Sequence, residues 1–161
     1  TTPGAVRRVR LTPAQPAASE AAVQAIMDAD VVTIGPGSWF SSVIPHILVP
    51  EIAQALNDTD AEVVIILNLT PEAGETHGFT TERHIHVFSQ HAPELRVDAF
   101  LADDRAATTA GERENIARAA AGLDAAVTFM PLGEQTEDGS ASTRHDPEKL
   151  AAALKAVHAA R

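Results

Sequence analysis

The amino-acid sequence predicts a doubly wound or three-layer α/β domain, with helices covering a mostly parallel sheet. Three observations carry that reading. Short apolar, β-branched runs alternate with amphipathic stretches about four times along the 161 residues. The strongest run, Val63-Val64-Ile65-Ile66-Leu67, is apolar without alternation, as a strand buried on both faces of a parallel sheet must be. A glycine-rich turn, Gly35-Pro36-Gly37-Ser38, follows another such run and leads into a helical stretch. That order places the turn at the carboxyl end of a strand, where open parallel sheets bind ligands. A chain of this length supports one ordinary core and hardly two, so residues 1–161 are read as a single domain.

Taken in order, Val6 to Leu11 sets Val6, Val9 and Leu11 between arginines and reads as a short edge strand. Pro13 and Pro16 mark a connection, and Ser19 is placed to cap a helix carrying Val23, Ile26 and Met27 on one face. Asp30 to Ile34 is bounded by glycine and reads as a buried strand. The helix behind the turn is punctuated by Pro45 and restarted at Pro50. After Val63–Leu67, Thr80 or Thr81 opens a helix with Ile85 and Phe88 inward, ending at Ala92-Pro93. Arg96 to Leu101 reads as a third strand, Thr109-x-x-Glu112 as a capping box, and Ala126 to Met130 as a fourth strand. The polar stretch Gly133 to His145 reads as a long loop, and Asp146-Pro147 as the start of a last helix with Leu150, Leu154 and Val157 inward.

Composition narrows the function classes. The formal charge of −10 argues against non-specific binding to nucleic acid or to an anionic membrane, while local N–H groups and one arginine still suffice for a nucleotide. Cysteine is absent, which removes disulfides and thiolate metal sites and suits a cytoplasmic location. No apolar run approaches the roughly 18 residues that a membrane helix needs, and no signal-peptide pattern stands at the start.

Two stretches carry candidate chemistry. In the first, Gly35 and Gly37 let the backbone approach a ligand closely. Ser38, Ser41 and Ser42 offer hydroxyls that either cap the helix or bond phosphate oxygens, and free N–H groups at a helix start favour an anion. The turn is neither a P-loop nor the dinucleotide fingerprint, whose third glycine is replaced by Phe40, and plain βα geometry also explains it. The second stretch, residues 68–79, gathers Asn68, Glu75, Thr76 and His77 on one loop, suited to a sugar or base edge or to a general base, or simply to a solvated connection. His84, His86 and His91 lie at spacings that do not share a helix face, so packed or solvated histidines and no metal site are expected. Arg144 stands beside a helix start, placed to clamp phosphate or to screen the acids of its own loop.

The motifs Gly35-Pro36-Gly37-Ser38 with Ser42-Val43-Ile44-Pro45 and Leu48-Val49-Pro50, then Gly74-Glu75-Thr76 with Gly78, then Arg144-His145-Asp146, occur in this order. Together they resemble the bacterial gluconeogenesis factor family (YvcK-like), related to the CofD-like 2-phospho-L-lactate transferases. The resemblance implies a Rossmann-like three-layer fold and a cytoplasmic regulatory protein. It also implies binding of a nucleotide sugar of the UDP-N-acetylglucosamine kind, with roles in gluconeogenic growth, cell shape and peptidoglycan synthesis. By that resemblance Gly35 to Ser38, Ser41 and Ser42 line the nucleotide site, with Asn68, Glu75, Thr76, His77 and Arg144 at or near it. The family's Gly-Glu-Thr-Asp-Gly-Tyr stands here with His77 and Phe79, and Pro147 replaces a threonine that some members phosphorylate. The family's opening glycine loop is absent, so the chain reads as a C-terminal fragment whose ligand site is shared with the N-terminal part of the same protein.

The expected function is therefore ligand binding without catalysis, a UDP-sugar as ligand, no required cofactor, and association with a further copy as a further possibility. The alternative is a phospholactate-type transferase acting on a nucleotide-linked donor. A third reading is a half-domain that binds nothing without its N-terminal partner.

Overall fold

The computed structural model describes residues 6, 8–72, 74–135 and 141–160. Four parallel strands run in the order of the sequence: β1 Val31–Ile34, β2 Glu62–Ile66, β3 Ala99–Asp103 and β4 Ala126–Met130. Ile34 stands opposite Ile65, Ile65 opposite Phe100, and Phe100 opposite Val127. The helices are α1 Glu20–Met27, α2 Ile44–Ile47, α3 Pro50–Asp58, α4 Thr81–His91, α5 Ala110–Ala121 and α6 Pro147–Ala159.

Alternation along the strands divides the core into two. Val63, Ile65, Phe100 and Ala102 pack with Trp39, Leu56, Ile85, Phe88 and Ile116 on one face of the sheet. Val64, Ile66, Ala99 and Leu101 pack with Leu132, Ala153 and Val157 on the other. Helices on both faces make the predicted three-layer α/β fold, and β2 and β3 are buried along their whole lengths because both of their faces are covered.

Local chemistry sets the helix starts. Thr80 Oγ1 accepts from the Arg83 N–H at 3.2 Å, and Thr109 with Glu112 forms a complete capping box. Asp146 Oδ1 accepts from the N–H groups of Glu148 and Lys149 ahead of α6. Ser19 occupies the cap position of α1 but makes no capping bond with its side chain.

Several expectations are corrected. Residues 8–11 form no strand. Val9 packs on the core, and its N–H donates to His91 Nε2 at 3.3 Å, so a side chain rather than a ladder holds this segment. β1 lies at one margin of the sheet, and among its residues Ile34 alone is buried. Met27 points to solvent at 42% exposure instead of joining Val23 and Ile26.

The third strand starts at Ala99 because the residues before it serve as an anchor. The Arg96 guanidinium donates to the carbonyls of Thr59 and Ala61 and to Asp98, and Asp98 accepts the Val63 N–H at 2.8 Å. The stretch after Pro131 is a β-hairpin, not an open loop: β5 Gly133–Gln135 pairs antiparallel with β6 Ala141–His145. Residues 136–140 of that stretch lie outside the described residues.

Candidate functional site

The site lies at the carboxyl ends of β1 and β2, where the glycine turn meets the loop after β2 and the hairpin. Gly35 has φ +80°, and a Cβ there would stand 2.9 Å from the Ile66 carbonyl oxygen. Only glycine lets the chain leaving β1 pass this close to β2. Gly37 and Asn68 then clasp each other: the Gly37 N–H donates to Asn68 Oδ1 at 3.0 Å, and Asn68 Nδ2 donates to the Gly37 carbonyl at 2.8 Å. Ser38 precedes one wide π-type helical turn, Trp39–Val43, that runs directly into α2.

Glu75 sits against this turn. Its carboxylate accepts from Ser38 Oγ at 2.5 Å, Ser41 Oγ at 3.0 Å and the Phe40 N–H at 3.2 Å. Burial pushes Glu75 up, but these three donors outweigh it and hold the carboxyl below its ordinary value. Two of the three serines that the sequence offers to a phosphate, together with the Phe40 N–H, are occupied by a carboxylate of the same chain.

The other nominated residues lie at varying distances from that point. Ser42 is on the exposed side of the turn, and its carbonyl accepts from His46 Nδ1. Thr76 is 0% exposed, with its hydroxyl accepting the Glu72 N–H at 2.8 Å, so it holds the shape of the loop. His77 is exposed, between Gly74 and Gly78, both with positive φ. Arg144 is 80% exposed, with Nε 3.7 Å from the Glu134 carboxylate. Of its two alternatives, screening a local acid is the one this geometry displays.

A cleft of about 440 Å³ opens between the turn and the hairpin, lined by Pro36, Gly37, Asn68, Thr70, Thr143 and His145 among others. Pro36, Gly37 and Asn68 are among the residues the sequence nominates; Thr143 and His145 are not. The available signal was their parity with Arg144. Neighbours on a strand point to opposite faces, so if 144 faces out, 143 and 145 share the other side.

The His145 ring is pushed below the ordinary imidazole value by burial, against the opposing effects of a hydrogen bond to the Leu67 carbonyl and the nearby Asp103 carboxylate. Its Nε2 is shielded from solvent and has no partner in the structure. Behind it, Asp103 accepts from Arg105 Nε at 2.7 Å, Leu132 N–H at 2.7 Å, Arg105 N–H at 3.0 Å and Gly133 N–H at 3.0 Å. Burial raises Asp103, but these donors bring it down to about 2. The carboxylate thereby pins the start of the hairpin to the end of β3.

The histidines of α4 are dispersed. His84 packs edge-on to Trp39 and Phe79, His86 pairs with Glu82 at 3.6 Å, and His91 accepts the Val9 N–H and meets Phe40 edge to face.

Fold and cleft define the class: a Rossmann-like three-layer α/β protein with its cleft at the carboxyl ends of parallel strands. Residues 2–158 match the family described as 2-phospho-L-lactate transferase CofD, and the chain belongs to that family. It is 50% identical over 157 residues to a Mycobacterium tuberculosis protein bearing the name gluconeogenesis factor, covering 98% of this chain and 44% of that one. A Mycobacterium leprae protein of the same name is 48% identical over 156 residues, covering 97% and 42%. One from Deinococcus radiodurans is 33% identical over 160 residues, covering 94% and 33%. The crystal structure of a Bacillus halodurans protein superposes with a TM-score of 0.69 at 27% identity, covering 87% of this chain and 47% of that one. A second crystal structure of that protein, described as a member of the UPF0052 family, gives 0.66 at 26% identity, covering 90% and 47%. The gluconeogenesis factor resemblance is thus upheld. The chain spans less than half the length of the curated relatives it matches. Among the described residues no helix is long and apolar enough to cross a membrane.

Proposed function

We propose that this chain contributes one wall of a nucleotide-sugar site in a regulatory protein, with a ligand of the UDP-N-acetylglucosamine kind. The role proposed is in gluconeogenic growth, cell shape and peptidoglycan synthesis, as the family resemblance implies. The observation that carries the binding part is the cleft at the ends of β1 and β2, lined by residues bearing backbone, amide, hydroxyl, imidazole and, at Glu72, carboxylate groups. Such a set reads a polar ligand by hydrogen bonds. The remaining part of the longer protein is proposed to supply the opposite wall.

The transferase alternative is supported by the family match itself. It needs a carboxylate turned toward an acceptor or a metal. Glu75 is held by Ser38, Ser41 and the Phe40 N–H, which leaves Glu72 as the carboxylate-bearing residue that lines the cleft. The two readings separate in one assay: a transferase consumes a nucleotide-linked phospholactate donor when an acceptor is added, and a binding protein leaves it intact.

Calorimetric titration of UDP-N-acetylglucosamine into this chain and into the full-length protein tests the proposal. Saturable heat from the full-length protein is expected, with weaker heat or none from the chain alone. No heat from the full-length protein overturns the reading. Heat from the full-length protein only assigns the chain the role of an incomplete half-site.

A further inference from the structure

Two grooves on the outer surface of the helix layer share no lining residue with the cleft. The first, about 580 Å³, sets Arg8 and Arg10 around Val9, Leu11 and Leu48. The second, about 540 Å³, lies between α1 and α3 and sets Glu20, Glu51 and Asp58 around Val23, Met27 and Ala55. Val9 and Leu48 at the first groove, Ile26 of α1 and Ile52 of α3 all pack against the same core cluster, so both grooves lie outside one layer. The chain crosses from one to the other twice, from Ala14 to Ala18 and from Leu48 to Glu51. The grooves adjoin.

Their charges are the ones that pairing within the chain leaves over. Arg96, Arg105, Arg113, Arg118 and Arg144 each meet a carboxylate, and Arg83 lies over the Phe79 ring. Arg8 and Arg10 are exposed and have no partner among the described residues. Glu20 and Asp58 are likewise exposed and unpaired among them, and Asp58 ends α3, where the helix dipole disfavours a negative charge. Met27 is the one large apolar side chain that the described residues leave exposed. Apolar groups with a charged rim are the anatomy of a protein–protein contact, and a thioether adapts readily to a partner's shape. A small anion would satisfy the arginines and leave the acids and Met27 bare. A partner with a basic and an acidic patch side by side satisfies both grooves, and this chain is itself such a partner.

We propose that this face docks a second copy of the protein about a two-fold axis, Arg8 and Arg10 of each copy standing against Glu20 and Asp58 of the other. The symmetry makes the contact twice, so the unpaired charges on both copies gain opposite ones. A formal charge of −10 on each copy opposes approach by other faces, and the complementary pairing therefore also fixes the orientation. The surface is separate from the cleft, and its role stands or falls independently of the nucleotide-sugar reading.

Sedimentation equilibrium of the full-length protein is the test, and a dimer is expected at about 50 µM. Arg8→Glu with Arg10→Glu sets acid against acid, and Glu20→Arg with Asp58→Arg sets base against base. Each pair of substitutions is expected to weaken dimerisation about a hundredfold. An equimolar mixture of the two variants restores both contacts, and the dimer returns. Variants that had merely misfolded are not rescued by mixing. A wild-type protein that stays monomeric overturns the proposal, whether the grooves are then covered by another part of the chain or take a small anion. A dimer that both variants leave intact overturns it too. So does a mixture that stays monomeric while circular dichroism shows both variants folded.

Discussion

On one wall of the cleft Gly37 and Asn68 close on each other through two hydrogen bonds, and Glu75 takes up Ser38, Ser41 and the Phe40 N–H. On the other, His145 leaves Nε2 without a partner and Arg144 stands in solvent beside Glu134. The two walls have similar polar inventories and opposite states of completion. Hydrogen-bonding groups that a chain satisfies internally add rigidity, and the unmet ones are those a ligand can complete. A glycine turn with serines looks like a phosphate seat whether or not the chain itself fills it. Glu75 fills it here, so a phosphate at the turn must displace that carboxylate or bind beside it.

The largest expected effect tests the rigidity of the turn wall. Gly35→Ala places a Cβ 2.9 Å from the Ile66 carbonyl at φ +80°, and neither the strand oxygen nor the backbone angle can yield cheaply. A loss of about 3 kcal/mol is expected from the sum of steric and backbone terms, measured by urea denaturation. A loss under 1 kcal/mol would mean that the turn is free to move away from β2.

Next comes Asp103→Asn, which tests how the hairpin wall is held. The amide cannot accept all five hydrogen bonds that the carboxylate does, and about 2 kcal/mol is expected to be lost. The pH dependence has a defined sign. Asp103 lies lower in the folded chain, at about 2, than in the unfolded chain. Its contribution is complete above the ordinary carboxylate range and is lost as pH falls toward 2. Denaturation curves for the variant should therefore flatten between about pH 4 and pH 2 relative to wild type. Identical slopes for the two proteins would remove Asp103 from that role.

A smaller effect, about 1 kcal/mol, is expected for Glu75→Gln, with faster amide exchange at Phe40. The same variant removes a negative charge from the turn. Full-length protein carrying it should bind the nucleotide sugar about threefold more tightly if phosphate approaches this wall. Weaker binding would show that Glu75 itself contacts the ligand, and the contrast between the walls would fail.

What the sequence disclosed follows the physical signals available to it. Val63–Leu67 declared a doubly covered strand because burial on two faces leaves no polar alternation, and Thr109 with Glu112 declared a helix start because the capping bonds are local. Pro36, Gly37 and Asn68, which the sequence nominates because glycine marks a close approach, line the cleft. Glu75's engagement with Ser38 was not legible, since it joins residues 37 positions apart. The hairpin after Pro131 was hidden for a related reason: three-residue and five-residue strands rich in charge and hydroxyls carry no apolar period. In an open loop Arg144 stands out as the charged side chain, whereas in the strand it is His145 that lines the cleft.

The smallest effect is expected where the hairpin wall looks most crowded. A Cβ on Gly133 would stand 1.9 Å from a terminal nitrogen of Arg105, far closer than any real contact. Yet that atom ends a long flexible side chain whose exposure is 44%, so the guanidinium can swing aside. Gly133→Ala should then cost less than about 1 kcal/mol, the value of a partly exposed ion pair, while the Leu132 and Gly133 N–H groups keep Asp103 in place. A clash at 2.9 Å is severe against a strand carbonyl at Gly35, whereas a closer one at 1.9 Å is mild against a side-chain end. Urea denaturation of both alanine variants measures the difference directly. Equal losses would show that Arg105 is as immobile as the strand, and that the hairpin wall is as fully locked as the turn.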